Sequence, residues 1–561
     1  MKVGEILLEM GVITEAQLAD ALKESKRSGE FLGATLIRLQ MIDEQILLEA
    51  LSKQFDLPYY PTLRDIEVPE SVINRVPVKF VWHYKFMPLS LNENTLKIAF
   101  SDPLEAWPSE DIKLHLGFDT EMALAPKKEI TTAIQKYYGV GAETVENILG
   151  GMDTTQREEK MSETKVRAQE EVERVGEEPT IVKLVDQIIA KAVESKATDI
   201  HFEPYRNKVR IRCRLDGVLF DLTIPERIKY LYPSVVSRVK IISGLDVLER
   251  RRPQDGRVTI KYRNKDIDLR ISVIPGFYGE NIAIRVLPEK LNLGIEDIGV
   301  LKADAKKIIE LIGSQHGIIF LTGPTGSGKT TTLYAFITHI NKPEIKIITI
   351  EDPVEYELDD ITQIQIAPKI DFTFVNALRS ILRHDPDVMM VGEVRDHETA
   401  GLAMRCALTG HLVFSTLHTN DSASGITRLV DMGVEPFLVA SSVKAFMAQR
   451  LVRTVCKKCK VEEKMEKPIK AGGVSIDKFF KGKGCQDCKF TGYSGRTTIY
   501  ELLVIDEDIR DMIMQRVPNS KIKEKAREKG MSTLHESGWE KVKLGVTTPE
   551  EVLRVTEVEE R

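Results

Sequence analysis

An apolar run at 318–321 (IIFL) leads into Gly323, Pro324, Thr325, Gly326, Ser327, Gly328, Lys329 and Thr330, and from there through Thr331 into the helix-forming string TTLYAF. This is the G-x-x-x-x-G-K-[ST] pattern between a strand and a helix, which is the context that gives it meaning. It constrains the fold strongly, because such a loop works only where a buried strand ends against the positive end of a helix, as in an α/β layout. Small residues let successive backbone N–H groups wrap a phosphate. Lys329 is expected to bridge the β- and γ-phosphates of a nucleotide, and the Thr330 hydroxyl to take Mg²⁺.

From residue 299 onward the strand-like strings GIIFLTG, IKIITIED, VMMVGE and LVFSTLHT alternate with helix-forming stretches, the signature of a parallel sheet with chemistry at its carboxyl ends. Negative charge beside a γ-phosphate serves two tasks, holding Mg²⁺ and orienting the attacking water. Glu393, just past the third strand, is expected to polarise that water, with Glu355 and Glu351 helping at the metal, whereas Asp352 reads equally well as a solvated strand-end carboxylate. His418, in the polar run that ends the fourth strand, is expected to sense the γ-phosphate.

The remaining residues need several more domains. A chain of 561 residues suggests three to five, and 42% hydrophobic with 29% charged residues excludes a wholly disordered, collagen-like or disulfide-scaffold protein. Residues 1–62 read as short amphipathic helices in two similar units offset by 29 residues, KVG…GVI…L and FLG…QMI…L. Residues 63–140 read as a small α+β unit with strands KFMPLSL and TLKIAF around Asn92, Glu93 and Asn94, closed by a helix near 130–138. Residues 141–178 hold eleven acidic and five basic residues and no aromatic, so they read as a flexible acidic linker. Residues 179–298 combine an amphipathic helix with alternating strands in a second α+β domain, and 299–561 form the phosphate-loop domain.

No segment approaches 18 uncharged apolar residues, and Glu5 and Glu9 interrupt any apolar leader, so a cytoplasmic chain is expected. The net charge of −6 equals that of the acidic linker, which leaves the folded remainder near neutral and argues only weakly against nucleic acid. Of six cysteines, Cys213 and Cys406 stand alone, while Cys456, Cys459, Cys485 and Cys488 form two C-x-x-C pairs 25 residues apart. That spacing suits a closed tetrahedral Zn²⁺ site, with a pair of labile disulfides as the alternative. Lys457, Lys458, Lys460 and Lys489 are placed to offset the thiolate charge.

With these motifs in hand, the chain resembles the ATPase superfamily that powers type II secretion and type IV pili. The resemblance rests on TGPTGSGKTTTLY, TIEDPVE, DPDVMMVGEVRD and TGHLVFSTLHTN, and upstream on ATDIHFEP, VRIRCRLDGVL, RRPQDGR and ISVIPGFYGENIAIRVL. It implies an α/β fold in which a RecA-like P-loop ATPase domain, carrying a four-cysteine zinc insertion at 456–488, is preceded by α+β domains. It further implies a homohexamer at the inner face of the cytoplasmic membrane. There an inner-membrane platform protein, and a membrane-anchored recruiting protein, would be its partners.

Arg212, Arg214 and Arg227 are the arginines that the resemblance offers to a nucleotide, although alternating arginines on a strand also read as a solvated face. In the family that the chain resembles, a zinc element and an N-terminal extension are typical of assembly and secretion motors and generally absent from retraction motors, so the resemblance implies an assembly motor. The N-terminal units look like a module that in some members binds cyclic di-GMP. Here Lys2 and Phe31 replace its two arginines, Ser25 a glutamine and Gln40 a glycine, so a helical docking module is the preferred reading. A nucleic-acid translocase and a low-turnover ATP-binding regulator are the rival functions.

Overall fold

The computed structural model describes residues 2–103, 109–149, 178–287, 294–471, 474–485 and 487–556, in two units, Met1–Leu287 and Pro288–Arg561. The 29-residue repeat organises the start of the first unit. Helices Val3–Glu9, Glu15–Ser28, Leu32–Arg38 and Glu44–Phe55 form two equivalent pairs. Thr14 and Asp43 cap the second helix of each pair by accepting from Gln17 N at 3.3 Å and Ile46 N at 2.8 Å. A Cβ on Gly4 would fall 2.8 Å from Leu18 Cδ1, and one on Gly33 2.8 Å from Leu47 Cδ1, so close helix contact recurs at the same step. Gln40 adopts φ +56° where Gly11 has +67°, so the departure from glycine leaves the turn in place.

Strands β1 (Met87–Asn92), β2 (Thr95–Phe100) and β3 (Asp119–Leu124) follow, with β1–β2 an antiparallel hairpin and β2–β3 parallel. The helix Lys127–Tyr138 closes this unit, as the pattern near 130–138 indicates. One boundary shifts. Composition predicts an acidic linker from 141, yet Ala142–Leu149 is a helix whose Val145 is buried in a core with Ile181 and Leu184. Apolar residues at helical spacing outweigh local acidity there, and the rest of the linker, up to residue 177, lies outside the described residues.

The core built on Pro179–Glu194 and Tyr232–Ile242 covers an antiparallel sheet. Its strands are β4 (Asp199–Pro204), β5 (Val209–Leu215), β6 (Val218–Leu222), β7 (Gln254–Tyr262), β8 (Lys265–Gly276) and β9 (Gly279–Val286), in the order β6-β5-β4-β9-β8-β7.

The second unit is organised by β10 (Gly317–Thr322), which is buried along its whole length. Ile318 and Phe320 face one core and Ile319 and Leu321 the other, and a strand buried on both faces belongs in the middle of a parallel sheet. Each such side chain contributes about 2 kcal/mol of apolar burial. The sheet adds β11 (Ile347–Glu351), β12 (Thr362–Gln365), β13 (Val388–Val391), β14 (Leu412–Leu417) and β15 (Val443–Val455).

Two strands, β16 (Lys460–Ala471) and β17 (Val474–Gly482), form a separate hairpin before β18 (Tyr493–Val504) returns antiparallel to β15. The order β12-β11-β13-β14-β10-β15-β18 contains all four strands expected from the sequence, together with β12, β15 and β18. Among the described residues no helix is long and apolar enough to cross a membrane.

Candidate active site

The phosphate loop occupies the turn between β10 and the helix Lys329–Ile340. Gly323, Gly326 and Gly328 have φ of +147°, +78° and +85°, values that L side chains rarely adopt. The loop is also packed from below. A Cβ on Gly323 would lie 2.6 Å from the carbonyl oxygen of Gln449 and 2.7 Å from Ser327 Oγ. Pro324, Thr325 and Gly326 form its exposed crest, while Thr330 and Thr331 are half-buried.

Lys329 Nζ donates to the carbonyls of Gly323 at 2.8 Å and Pro324 at 3.1 Å. Burial pushes the pKa of its ammonium down to about 8, Arg450 adds to this, and Glu393 opposes it. Ser327 Oγ is buried with no hydrogen-bond partner among the described residues. A cradle of left-handed glycines, a lysine, an unpartnered hydroxyl and a helix N-terminus without an acidic first turn together fit a nucleotide's phosphates.

Glu393 lies two residues beyond β13, where its Oε1 accepts from Arg395 Nη2 at 2.6 Å and its Oε2 is 3.4 Å from His418 Nε2. His418 follows the end of β14 directly. The two strand ends are laced together: Thr416 Oγ1 donates to Gly392 O at 2.8 Å and Val394 N to Thr416 O at 3.1 Å. The fold thus brings Glu393 and His418 together. Because β13, β14 and β10 run parallel, Glu393, His418 and the phosphate loop all follow strand ends at the same carboxyl end of the sheet.

Glu351, expected to help at the metal, is held inside the protein. It is buried, and both carboxylate oxygens are occupied: Tyr334 and Thr349 donate through their hydroxyls and Gln363 through Nε2 at 3.2 Å. Burial raises its pKa against those hydrogen bonds, so it acts as an internal strut joining β11 to the phosphate-loop helix. Glu355 sits at the turn this strut supports, its main-chain N donating to Tyr334 Oη at 3.3 Å.

The three arginines lie in the first unit. Arg212 is engaged by Glu203 at 2.9 and 2.5 Å, Arg214 lies 3.6 Å from Asp199 and donates to Gly217 O at 2.9 Å, and Arg227 is on the short helix Glu226–Tyr230. Arg212 would have to exchange a carboxylate for a phosphate in order to serve a nucleotide.

Two residues at the loop stand outside every motif quoted above. Gln449, fully buried on β15, donates from Nε2 to Ser327 O at 2.6 Å and accepts from Thr332 Oγ1 at 3.0 Å. Arg450 donates from Nη2 to Asn420 O at 3.0 Å, two residues past His418. The available signal is a polar Gln-Arg pair inside the otherwise apolar string AFMAQRLV.

The four cysteines converge as their spacing requires. Their sulfurs all lie within 4.8 Å of one another, with separations of 3.7 Å for Cys456–Cys485 and Cys485–Cys488 and 3.8 Å for Cys459–Cys488. The edge of a tetrahedron around zinc with bonds of about 2.3 Å is roughly 3.8 Å, so the donor set fits Zn²⁺. The lysine screen is only partly available: Lys458 pairs with Asp487 at 2.8 Å, and Lys460 donates to Gly545 O at 2.8 Å. Cys213 and Cys406 are buried apart, and burial pushes the Cys406 thiol up to about 11.

Comparison with known proteins agrees with this fold. The family of type II/IV secretion system proteins matches residues 174–554, and the MshEN domain matches 55–144. The type IV pilus assembly ATPase PilB of Myxococcus xanthus is 37% identical over 563 residues, covering 98% of each chain. Type II secretion system protein E of Xanthomonas campestris pv. campestris is 36% identical over 99% of this chain and 98% of its own. The X-ray structure of the Legionella pneumophila ATPase DotB shares the fold, with a TM-score of 0.51 at 22% identity over 67% of this chain and 96% of that one.

Proposed function

Because the chain belongs to the type II/IV secretion system protein family and is one of its ATPases, we propose that it drives pilus or pseudopilus assembly, in type IV pilus biogenesis or type II protein secretion. In this reading six copies form a ring at the cytoplasmic face of the inner membrane and act on a membrane platform protein. The near-equal similarity to a pilus motor and a secretion motor supports the class shared by both. The observation that carries the reading is the cradle of left-handed glycines and Lys329 at the end of β10, with Glu393 and His418 3.4 Å apart at the carboxyl ends of the neighbouring parallel strands.

Gly323 to Thr331 would hold the phosphates of ATP, with Lys329 turning from its two carbonyl partners to the β- and γ-oxygens. Bound Mg²⁺ would supply charge neutralisation there, with Thr330 and Glu355 as its holders. Glu393 would orient the attacking water, and His418, against it at 3.4 Å, would register the change in charge. Cys456, Cys459, Cys485 and Cys488 would hold a structural Zn²⁺ that ties the β16–β17 hairpin to the end of β15. Phosphate release by purified protein tests the site: Lys329→Ala is expected to abolish it, and hydrolysis at the wild-type rate would overturn the assignment.

A further inference from the structure

The phosphate loop is not shaped by its own sequence alone. Gln449 stands in a strand whose neighbours Phe446, Met447, Ala448 and Val452 are buried apolar residues. A carboxamide is costly in such a place unless both its ends are paired. Both are, and both partners belong to the phosphate loop and its helix: Ser327 O at 2.6 Å and Thr332 Oγ1 at 3.0 Å. Across a planar trans peptide the carbonyl of one residue and the N–H of the next point in opposite directions. Drawing Ser327 O toward β15 therefore turns the Gly328 N–H away from β15. The fit is close, since a Cβ on Gly328 would lie 3.0 Å from Gln449 Nε2.

We propose that Gln449 is a positioning residue for nucleotide binding, holding the Ser327–Gly328 peptide so that the Gly328 amide is presented to phosphate. This rests on the ATP reading above, and it adds a determinant of affinity 122 residues away from the loop in sequence. Gln449 touches no substrate; it acts through Ser327 and Thr332.

The test is a double-mutant cycle read as the affinity of the full chain for a fluorescent ATP analogue. Gln449→Leu is expected to weaken binding about tenfold and Thr332→Val about threefold, with the double variant no weaker than Gln449→Leu alone. Gln449→Glu keeps the acceptor for Thr332 but sets a carboxylate against Ser327 O. Its affinity relative to wild type should recover as the pH falls from about 8 to about 6 and the acid, its pKa raised by burial, gains a proton to donate. Wild type measured at each pH corrects for Lys329, Glu393 and Arg450 nearby. Wild-type affinity in Gln449→Leu, additive losses in the double variant, or a pH-independent ratio for Gln449→Glu would overturn the proposal. Failure of the wild-type chain to bind the analogue would instead overturn the ATP reading.

Discussion

The phosphate loop and the cysteine cluster are served by the same strand, β15, and are built in opposite ways. Gln449 on β15 grips the loop, and Cys456 immediately follows the strand's last residue. The cluster is closed by side chains from residues 456–488, so its spacing carries its whole donor set. The loop supplies backbone and one lysine, while Glu393, His418 and Gln449 arrive from other strands. A local motif thus predicts a structural metal site almost completely and a catalytic site only by half.

Loss of the proposed zinc should produce the largest effect. Structural zinc binding contributes on the order of 10 kcal/mol in small zinc-binding peptides. Metal analysis is expected to find one zinc per chain, and Cys456→Ser, or chelation, to abolish it and to expose the β16–β17 hairpin to protease. If the contrast holds, binding of an ATP analogue survives that change. Next in size, Glu393→Gln should leave the analogue bound while slowing single-turnover hydrolysis by roughly 100- to 10,000-fold. Equal losses of binding and turnover would mean that Glu393 holds the loop rather than the water.

What is legible in the sequence follows from the same contrast. The 29-residue repeat, the four central strands and the cysteine set can all be read there, because each depends on spacing within a short window. Glu351 and Glu355 are not separable in that way, since only the packing of Tyr334 against β11 shows that one is enclosed and the other lies at the turn. Gln449 is hidden for a related reason: its partners are 122 and 117 residues away. The helix Ala142–Leu149 is masked by the acidic composition around it.

Between the two regions stands Glu551, which accepts from Arg453 Nη2 on β15 at 2.7 Å and from Arg554 Nε at 3.0 Å. Burial opposes its charge, but the two guanidiniums hold its carboxyl down at about 2. A folded value below the usual 4.5 means that the stabilisation is fully present above about pH 4.5 and drains away as the pH falls toward 2. The loss amounts to about 3 kcal/mol. Acid melting curves should show it, and Glu551→Gln should be less stable at neutral pH and flatter across that window. An unchanged acid limb would detach Glu551 from the joint between the sites.

The smallest effect separates a strut from a metal holder. Glu351→Gln preserves the shape of a buried side chain whose oxygens face Tyr334, Thr349 and Gln363, so it should cost about 1 kcal/mol of stability, seen as a modest fall in Tm. Because both oxygens of Glu351 accept hydrogen bonds inside the core, the Mg²⁺ concentration giving half-maximal hydrolysis should not move. Glu355→Gln, at the turn, should raise it several-fold at unchanged Tm. If Glu351→Gln raised the Mg²⁺ requirement instead, the carboxylate would have to leave its enclosure during turnover, and the half of the site supplied from afar would be larger than the static geometry indicates.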